Sequence, residues 1–241
     1  MERQAYVDAA VCLTQTQSPN DSRVSIHDDF SYLHSRIGNY SHDAAPFLPW
    51  HRYFIHAYEK ALKDHCGYKG TLPYWDWSKD YENVLESPIW DTDAGFGPNG
   101  DPTGPEGVSK GHCVRNGSFA GWTPAWYQGE YRPHCLSRGF LDVATAEKVS
   151  GRTVRPEILE AVVADETNFF NFTVHVEDVS HLTVPFLYNG PAQLDGDEEG
   201  MLTDLLEYGG FLPFDPSVGD LMDTEGDLLC YRYDVGVVGS H

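Results

Sequence analysis

The feature that most constrains this chain is a pair of amphipathic helical patterns, each of which sends a histidine to its apolar face. In the first pattern, four residues share one face at the i, i+3, i+4, i+7 spacing: Phe30, Leu33, His34 and Ile37. Ser25 with Asp28 three residues later predicts where this helix begins, and Gly38-Asn39 predicts where it ends. His34 is therefore predicted to point into the core.

The second pattern lies between Phe47 and Leu62, and five of its residues share one face: Phe47, His51, Phe54, Tyr58 and Ala61. His51 is thus predicted to point inward between aromatic rings. His42 lies in the turn that joins the two patterns. Two antiparallel helices with this connection would bring all three histidines toward one point.

Three neutral imidazoles in a helical core favour copper or zinc, whereas magnesium and calcium prefer carboxylate oxygens. An aromatic lining also suits a phenolic ligand and keeps bulk water out. The alternative is that each histidine is an ordinary hydrogen-bonded core residue. The other histidines are predicted to lie outside such a site: His27, His56, His65, His112 and His134.

Several motifs around these histidines match a known pattern in order and spacing. They are a histidine after Asp28-Asp-Phe, one before the second helix, one within Trp50-His-Arg-Tyr-Phe, and the segment Pro73-Tyr-Trp-Asp-Trp. Together they resemble the first copper-binding region of fungal-type tyrosinases. The resemblance implies that His34, His42 and His51 hold the first copper ion, with Asp76 and Trp77 as supporting residues near it. It extends more loosely through Pro133-His-Cys to Cys230-Tyr-Arg-Tyr.

This resemblance implies a mainly α fold, a tyrosinase-like di-copper helical bundle with long ordered loops. We expect one domain over residues 1–241, with the first copper region at 25–77, a partial second region at 156–185 and a C-terminal tail at 187–241. Local patterns predict further helices at 3–16, from Pro156, at Phe169–Glu177 and at Glu199–Tyr208, a strand at Leu228–Tyr233, and a long loop region from Leu85 to Arg138.

The second copper region departs from the family. Tyrosinases hold their second copper with a His-x-x-x-His pair and a His-His pair, and this chain contains neither. His181 matches best as the first ligand of that site, and His175 is a weaker candidate. A His-x-x-x-His pair would need a second histidine four residues after His181, but that position is Pro185. One bundle helix is predicted to be missing between Pro185 and Tyr188. Its loss would expose apolar side chains worth about 1.5–3 kcal/mol each, unless the tail fills the space.

Two functions therefore stay open. The first is a copper-dependent oxidoreductase of tyrosinase or catechol oxidase type, with two copper ions, which oxidises a small phenolic substrate to a quinone with dioxygen. The second is a relative that binds one metal ion or none and is inactive, because the second site lacks its ligands. An oxygen carrier would need the same six ligands and is disfavoured for the same reason.

Charge and cysteine content limit the partners and the compartment. The formal charge of −21 disfavours nucleic acid and anionic membranes, and no apolar run is long enough to span a bilayer. The five cysteines allow two disulfides with one remaining thiol, in which Cys113 and Cys135 are the pair nearest in sequence, or five reduced thiols.

Two features bear on localisation and point in opposite directions. Residues 1–7 do not form a recognisable secretory signal, since no apolar run follows the basic residue. Four N-glycosylation sequons would matter only in a secreted chain or one with a secreted ancestor; they begin at Asn20, Asn39, Asn116 and Asn171.

Overall fold

The computed structural model describes residues 2–42, 44–181, 202–203, 205–226 and 228–231. Within these ranges the chain is mainly helical, which confirms the predicted fold class. Its α-helices are α1 (Glu2–Gln15), α2 (Ile26–Ser41), α3 (Phe47–Cys66), α4 (Val143–Thr153), α5 (Pro156–Asp165) and α6 (Phe169–Val174), the last of which continues as a π-helical segment over His175–His181. No helix in this described part of the chain combines the length and apolarity needed to cross a membrane.

The long loop region predicted from Leu85 to Arg138 is confirmed. It contains short 3-10 turns and two small antiparallel ribbons. The strands are β1 (His112–Cys113) paired with β4 (Ser137–Arg138), and β2 (Trp126–Tyr127) paired with β3 (Glu130–Tyr131). The loops are joined to the helices by polar contacts, for example the Ala125 backbone N–H that donates to Asp28 Oδ1 at 3.0 Å.

Helix α2 begins as its sequence predicts and ends later. The Asp28 N–H donates to Ser25 Oγ at 3.1 Å, and the Ser25 N–H donates to Asp28 Oδ2 at 3.0 Å, so the two residues cap the helix reciprocally. The predicted stop at Gly38-Asn39 is wrong, because the helix continues to Ser41. A glycine inside a helix costs about 1 kcal/mol. The burial of Ser41 within the last turn is consistent with packing that offsets this cost.

Disulfides connect distant parts of the chain. Cys12 in α1 pairs with Cys66 at the end of α3, and Cys113 pairs with Cys135 beside the β1–β4 ribbon. The fifth cysteine, Cys230, is an exposed thiol that donates to the Gly226 carbonyl. Of the two alternatives that the sequence left open, the structure therefore has two disulfides and one thiol.

Helix α4 was not predicted from the sequence. Asp142 precedes it and accepts a hydrogen bond from the Thr145 N–H at 3.0 Å, which is an N-cap arrangement. Among the described side chains of this helix, Ala146 is buried, and it packs against Val84 and Val154. An aspartate directly before a short run of helix-forming residues was the available signal, but the buried face is too small to give a clear period.

The described part of the tail, at residues 205–226 and 228–231, packs against α2 and α3. A buried apolar cluster joins the two regions; its members are Leu33, Trp50, Tyr53, Leu206, Tyr208, Leu221 and Leu229. Tyr208 stacks on Trp50 and donates its hydroxyl hydrogen to the Trp50 carbonyl at 2.7 Å, while the Trp50 indole N–H donates to the Glu207 carbonyl at 3.1 Å. The tail therefore covers apolar side chains of both helices.

Two predictions for the tail are wrong over the described residues. The segment Leu205–Tyr208 is extended rather than helical, with Leu205 bridged to Ser217. Leu206 and Tyr208 are buried while Leu205 is 66% exposed, so burial alternates with a period of two instead of following a helix.

The second wrong prediction is the strand at Leu228–Tyr233. Residues 228–231 form a turn, in which the Cys230 N–H donates to the Gly226 carbonyl. The bundle helix predicted to be missing between Pro185 and Tyr188 lies outside the described residues.

Candidate metal centre

Three histidines converge between α2 and α3. His34 lies on α2, His51 on α3 and His42 in the connection between them. Their ligand nitrogens all lie within 4.8 Å of one another, and the Nε2 atoms of His34 and His51 are 3.3 Å apart. The structure thus brings together the three imidazoles that the helical spacing directs inward.

The orientation of His51 is set by the backbone of its own helix. Its Nδ1 lies 2.8 Å from the Phe47 carbonyl, which can only accept a hydrogen bond, so Nδ1 carries the proton. The lone pair is therefore on Nε2, the atom that faces His34. A backbone carbonyl that holds the second ring nitrogen in this way is a common feature of histidine metal ligands.

Burial keeps the imidazoles of His34 and His51 neutral. Desolvation, reinforced by the neighbouring His42 and His181 rings, lowers the pKa of His34 from 6.5 to about 4. Desolvation also lowers the pKa of His51 to about 3, despite its hydrogen bond to the Phe47 carbonyl. At neutral pH both rings can therefore offer lone pairs. A neutral, all-imidazole donor set fits a copper or zinc ion and does not fit magnesium or calcium.

His181 lies beside this cluster at the end of the π-helical segment. Its ring centroid is 5.9 Å from that of His42 and 6.2 Å from that of His51. Burial lowers its pKa to about 4, and its Nδ1 is buried without a hydrogen-bond partner among the described residues. A buried ring nitrogen in this state is suited to a metal ion.

His175 is directed elsewhere. Its Nδ1 lies 2.5 Å from Glu166 Oε1, and its side chain is 49% exposed. The low-weight prediction that His175 assists the second site gains no support from this position.

Aromatic rings form the walls around the histidines. The ring of Phe47 lies 5.7 Å from His42, 4.6 Å from His51 and 5.3 Å from His181. Trp50 and Phe54 pack on the other side, with centroids 6.0 and 5.8 Å from that of His34. This lining reduces the contact of the imidazoles with water, which is the main cause of the low pKa values of His34 and His51.

The supporting residues implied by the resemblance make their observed contacts elsewhere. Asp76 pairs with Lys79 at 3.0 Å and accepts a hydrogen bond from Ser78, while the Trp77 ring packs near Trp75. The pKa of Asp76 is lowered chiefly by the Ser78 hydrogen bond. These contacts stabilise the segment itself and do not involve the histidines.

Among the described residues, no other histidine joins the group formed by His34, His42 and His51. His27 Nδ1 lies 3.0 Å from the Tyr58 hydroxyl, His56 stacks on Tyr53, and His134 Nδ1 contacts the Arg132 carbonyl. His65 is exposed, and His112 lies in β1.

Sequence reasoning did not identify two features of the helical segments that carry the histidines. One is the Phe47 carbonyl that orients His51, which the i, i+4 spacing of a helix could have indicated. The other is the burial of Glu177, four residues before His181 in the π-helical segment.

Fold and site together define a helical protein with a cluster of three histidines that could hold a metal ion. Residues 22–190 match the family described as the common central domain of tyrosinase. The chain is 36% identical to the tyrosinase-like protein phomQ2 of Diaporthe leptostromiformis, covering 96% of this chain and 70% of the relative. It is also 36% identical to the tyrosinase ustQ of Aspergillus flavus, with 96% and 76% coverage. The chain belongs to the tyrosinase family, which confirms the resemblance seen in its motifs.

A solved structure shares the fold. The polyphenol oxidase of Thermothelomyces thermophila, as its G292N mutant, superposes with a TM-score of 0.61 at 24% identity, covering 96% of this chain and 85% of that one. The alignments with phomQ2 and ustQ extend over 274 and 273 positions, more than the 241 residues of this chain. Both relatives therefore contain residues without a counterpart in this chain.

Proposed function

We propose that this chain is a copper-dependent oxidoreductase of tyrosinase or catechol oxidase type, which oxidises phenols or catechols to quinones with dioxygen. The observation that carries the proposal is the convergence of three imidazole nitrogens within 4.8 Å inside an aromatic-lined core. Membership in the tyrosinase family supports copper as the metal.

In this proposal His34, His42 and His51 hold one copper ion, and His181 contributes to a second. Copper, when bound, supplies the one-electron redox steps that the reduction of dioxygen requires. The Phe47 carbonyl keeps the lone pair of His51 directed at the ion. Phe47 also offers an apolar ring face against which an aromatic substrate can stack.

A neutral phenol is the favoured substrate class for a chain of this composition. The net charge of −21 repels anionic ligands, and the side chains around the histidines are aromatic rather than basic. A small neutral ring fits both properties.

A second candidate function is supported by the ligand count. Within the described ranges, His34, His42 and His51 form the one group of three residues that could hold a metal ion. After His181 the sequence contains a single histidine, His241. A protein that binds one copper and does not oxidise phenols would follow from this shortage of ligands.

Copper loading separates the two candidates. Purified protein is loaded with copper and freed of excess metal, and then copper per chain and catechol-dependent oxygen consumption are measured. Two coppers with oxygen consumption support the oxidoreductase, whereas one copper without consumption supports the second candidate. Failure to retain any copper contradicts both.

A further inference from the structure

Two of the four sequons have exposed asparagines in connecting segments, Asn20 after α1 and Asn116 after β1. We propose that Asn20 and Asn116 carry N-linked glycans and that the chain matures in the oxidising lumen of the secretory pathway. The inference does not rest on the proposed function, because none of its residues belongs to the metal centre.

Asn116 is exposed and lies in a bend three residues after the end of β1. Gly117 follows with a φ of 95°, a conformation that glycine adopts without strain, and a turn then begins at Ser118. Cys113, three residues earlier, is held by its disulfide to Cys135. A glycan on this bend would extend into solvent without displacing a core side chain.

Asn20 lies in the exposed connection between α1 and α2. Its Nδ2 donates to Asp29 Oδ2 at 3.0 Å. An asparagine amide has two N–H groups and keeps one after glycosylation, so this hydrogen bond is compatible with the modification. Ser22, the third residue of the sequon, is also exposed.

The other two sequons are not included. Asn39 falls within α2 and Asn171 within α6, whereas Asn20 and Asn116 lie in bends of the chain. Exposed connecting segments accept bulky surface groups more readily than regular elements do.

The disulfides are an independent observation on the compartment. The Cα atoms of Cys12 and Cys66 are 5.9 Å apart and those of Cys113 and Cys135 are 5.5 Å apart, within the usual range for a disulfide. Such bonds form and persist in oxidising compartments and are rare where thiols are kept reduced. The secretory lumen, where N-glycans are transferred, is such a compartment.

The modification itself is a group transfer. The asparagine Nδ2 attacks the anomeric carbon of an oligosaccharide that is attached to a lipid diphosphate. A carbon–nitrogen bond forms, the carbon–oxygen bond to the diphosphate breaks, and the lipid diphosphate leaves as the amide nitrogen loses one proton. No oxidant or reductant is consumed.

The test uses the protein isolated from the organism that encodes it. A peptide N-glycosidase converts glycosylated asparagine to aspartate, which mass spectrometry of the digested protein detects. We expect this conversion at both Asn20 and Asn116, together with the Cys12–Cys66 and Cys113–Cys135 peptide pairs in a non-reduced digest. Unmodified asparagine at both positions, or reduced cysteines throughout, overturns the proposal; modification at one position overturns the assignment of the other.

Matched variants in the same organism separate glycosylation from other changes in mass. Ser118→Ala removes the sequon of Asn116 and leaves the asparagine in place, whereas Ser118→Thr preserves the sequon. The Ser118 hydroxyl makes one long contact of 3.4 Å, to the Asp93 carbonyl, so its loss should perturb the fold little. The glycan should disappear in Ser118→Ala and persist in Ser118→Thr; loss in both variants, or in neither, contradicts the assignment. Ser22→Ala and Ser22→Thr apply the same comparison to Asn20.

Discussion

His51 shows how one backbone carbonyl determines which nitrogen of an imidazole faces a metal. The Phe47 carbonyl accepts the Nδ1 proton at 2.8 Å, and this leaves the Nε2 lone pair directed at the 3.3 Å gap to His34. Since Phe47 and His51 are four residues apart on one helix, the same residues that build the helix also orient the ligand. His56, five residues further along α3, stacks on Tyr53 instead.

Replacing His51 by alanine should remove one of three ligands. We expect His51→Ala to weaken copper binding by at least about 100-fold, because even the loss of a residue that only orients a ligand costs about 10- to 100-fold. His56→Ala on the same helix is the matched control and should leave copper affinity unchanged. Competition with a chelator of known affinity measures the copper affinity of both variants. An equal loss of affinity in the two would show that His51 is not a ligand.

Much of the centre could be predicted at the residue scale, because helical periodicity fixes the direction of a side chain relative to its own helix. His34 and His51 were directed inward on this basis alone. The environments of Asp76 and Trp77 could not be predicted in this way. They lie in a segment without regular structure, where contacts such as Asp76 with Lys79 depend on local turns that periodicity does not encode.

At the scale of elements, the first three helices were predictable and the tail was not. A period of 3.6 extends over the long helices α2 and α3, whereas the segment Leu205–Tyr208 buries only two side chains and was misread as helical. Helix α4 was missed because its sequence has no clear apolar face. Among its described side chains, Ala146 is the one that is buried. Short elements take their conformation from what they pack against, and that information is not local.

The two disulfides should contribute unequally to the stability of these elements. Cys12 and Cys66 are separated by 54 residues and Cys113 and Cys135 by 22. Loop-closure entropy gives about 4 kcal/mol for the longer loop and about 3.4 kcal/mol for the shorter one. We therefore expect the Cys12→Ser/Cys66→Ser variant to lose more unfolding free energy in urea than Cys113→Ser/Cys135→Ser. The reverse order would show that α1 is held mainly by its apolar contacts.

At the scale of the whole molecule, a buried histidine outside the metal centre links folding to pH. His27 contacts the Tyr58 hydroxyl and packs edge-on against Trp122. Desolvation lowers its pKa from 6.5 to about 4, more than the nearby Asp28 charge raises it. The folded chain therefore excludes a proton that the unfolded chain binds between these two pH values.

Stability should accordingly fall as the pH decreases from 6.5 to 4. In this window the unfolded state binds more protons than the native state, so the unfolding free energy increases with pH. His27 accounts for roughly 3 kcal/mol of this change. His27→Phe and His27→Gln should both flatten the dependence, which urea unfolding at a series of pH values measures in metal-free protein. An unchanged slope in both variants would show that His27 does not contribute to the pH dependence.

Two hydrogen bonds of Trp50 connect the tail to the backbone next to His51. Trp50 directly precedes His51, and both its indole N–H and its carbonyl are bonded to residues 207 and 208. If detachment of the tail shifts this backbone, it also weakens the hold on copper, and thermodynamic reciprocity then requires bound copper to tighten the tail by the same factor. Amide hydrogen exchange near Tyr208 would then slow when copper binds, although Tyr208 itself is not among the proposed ligands.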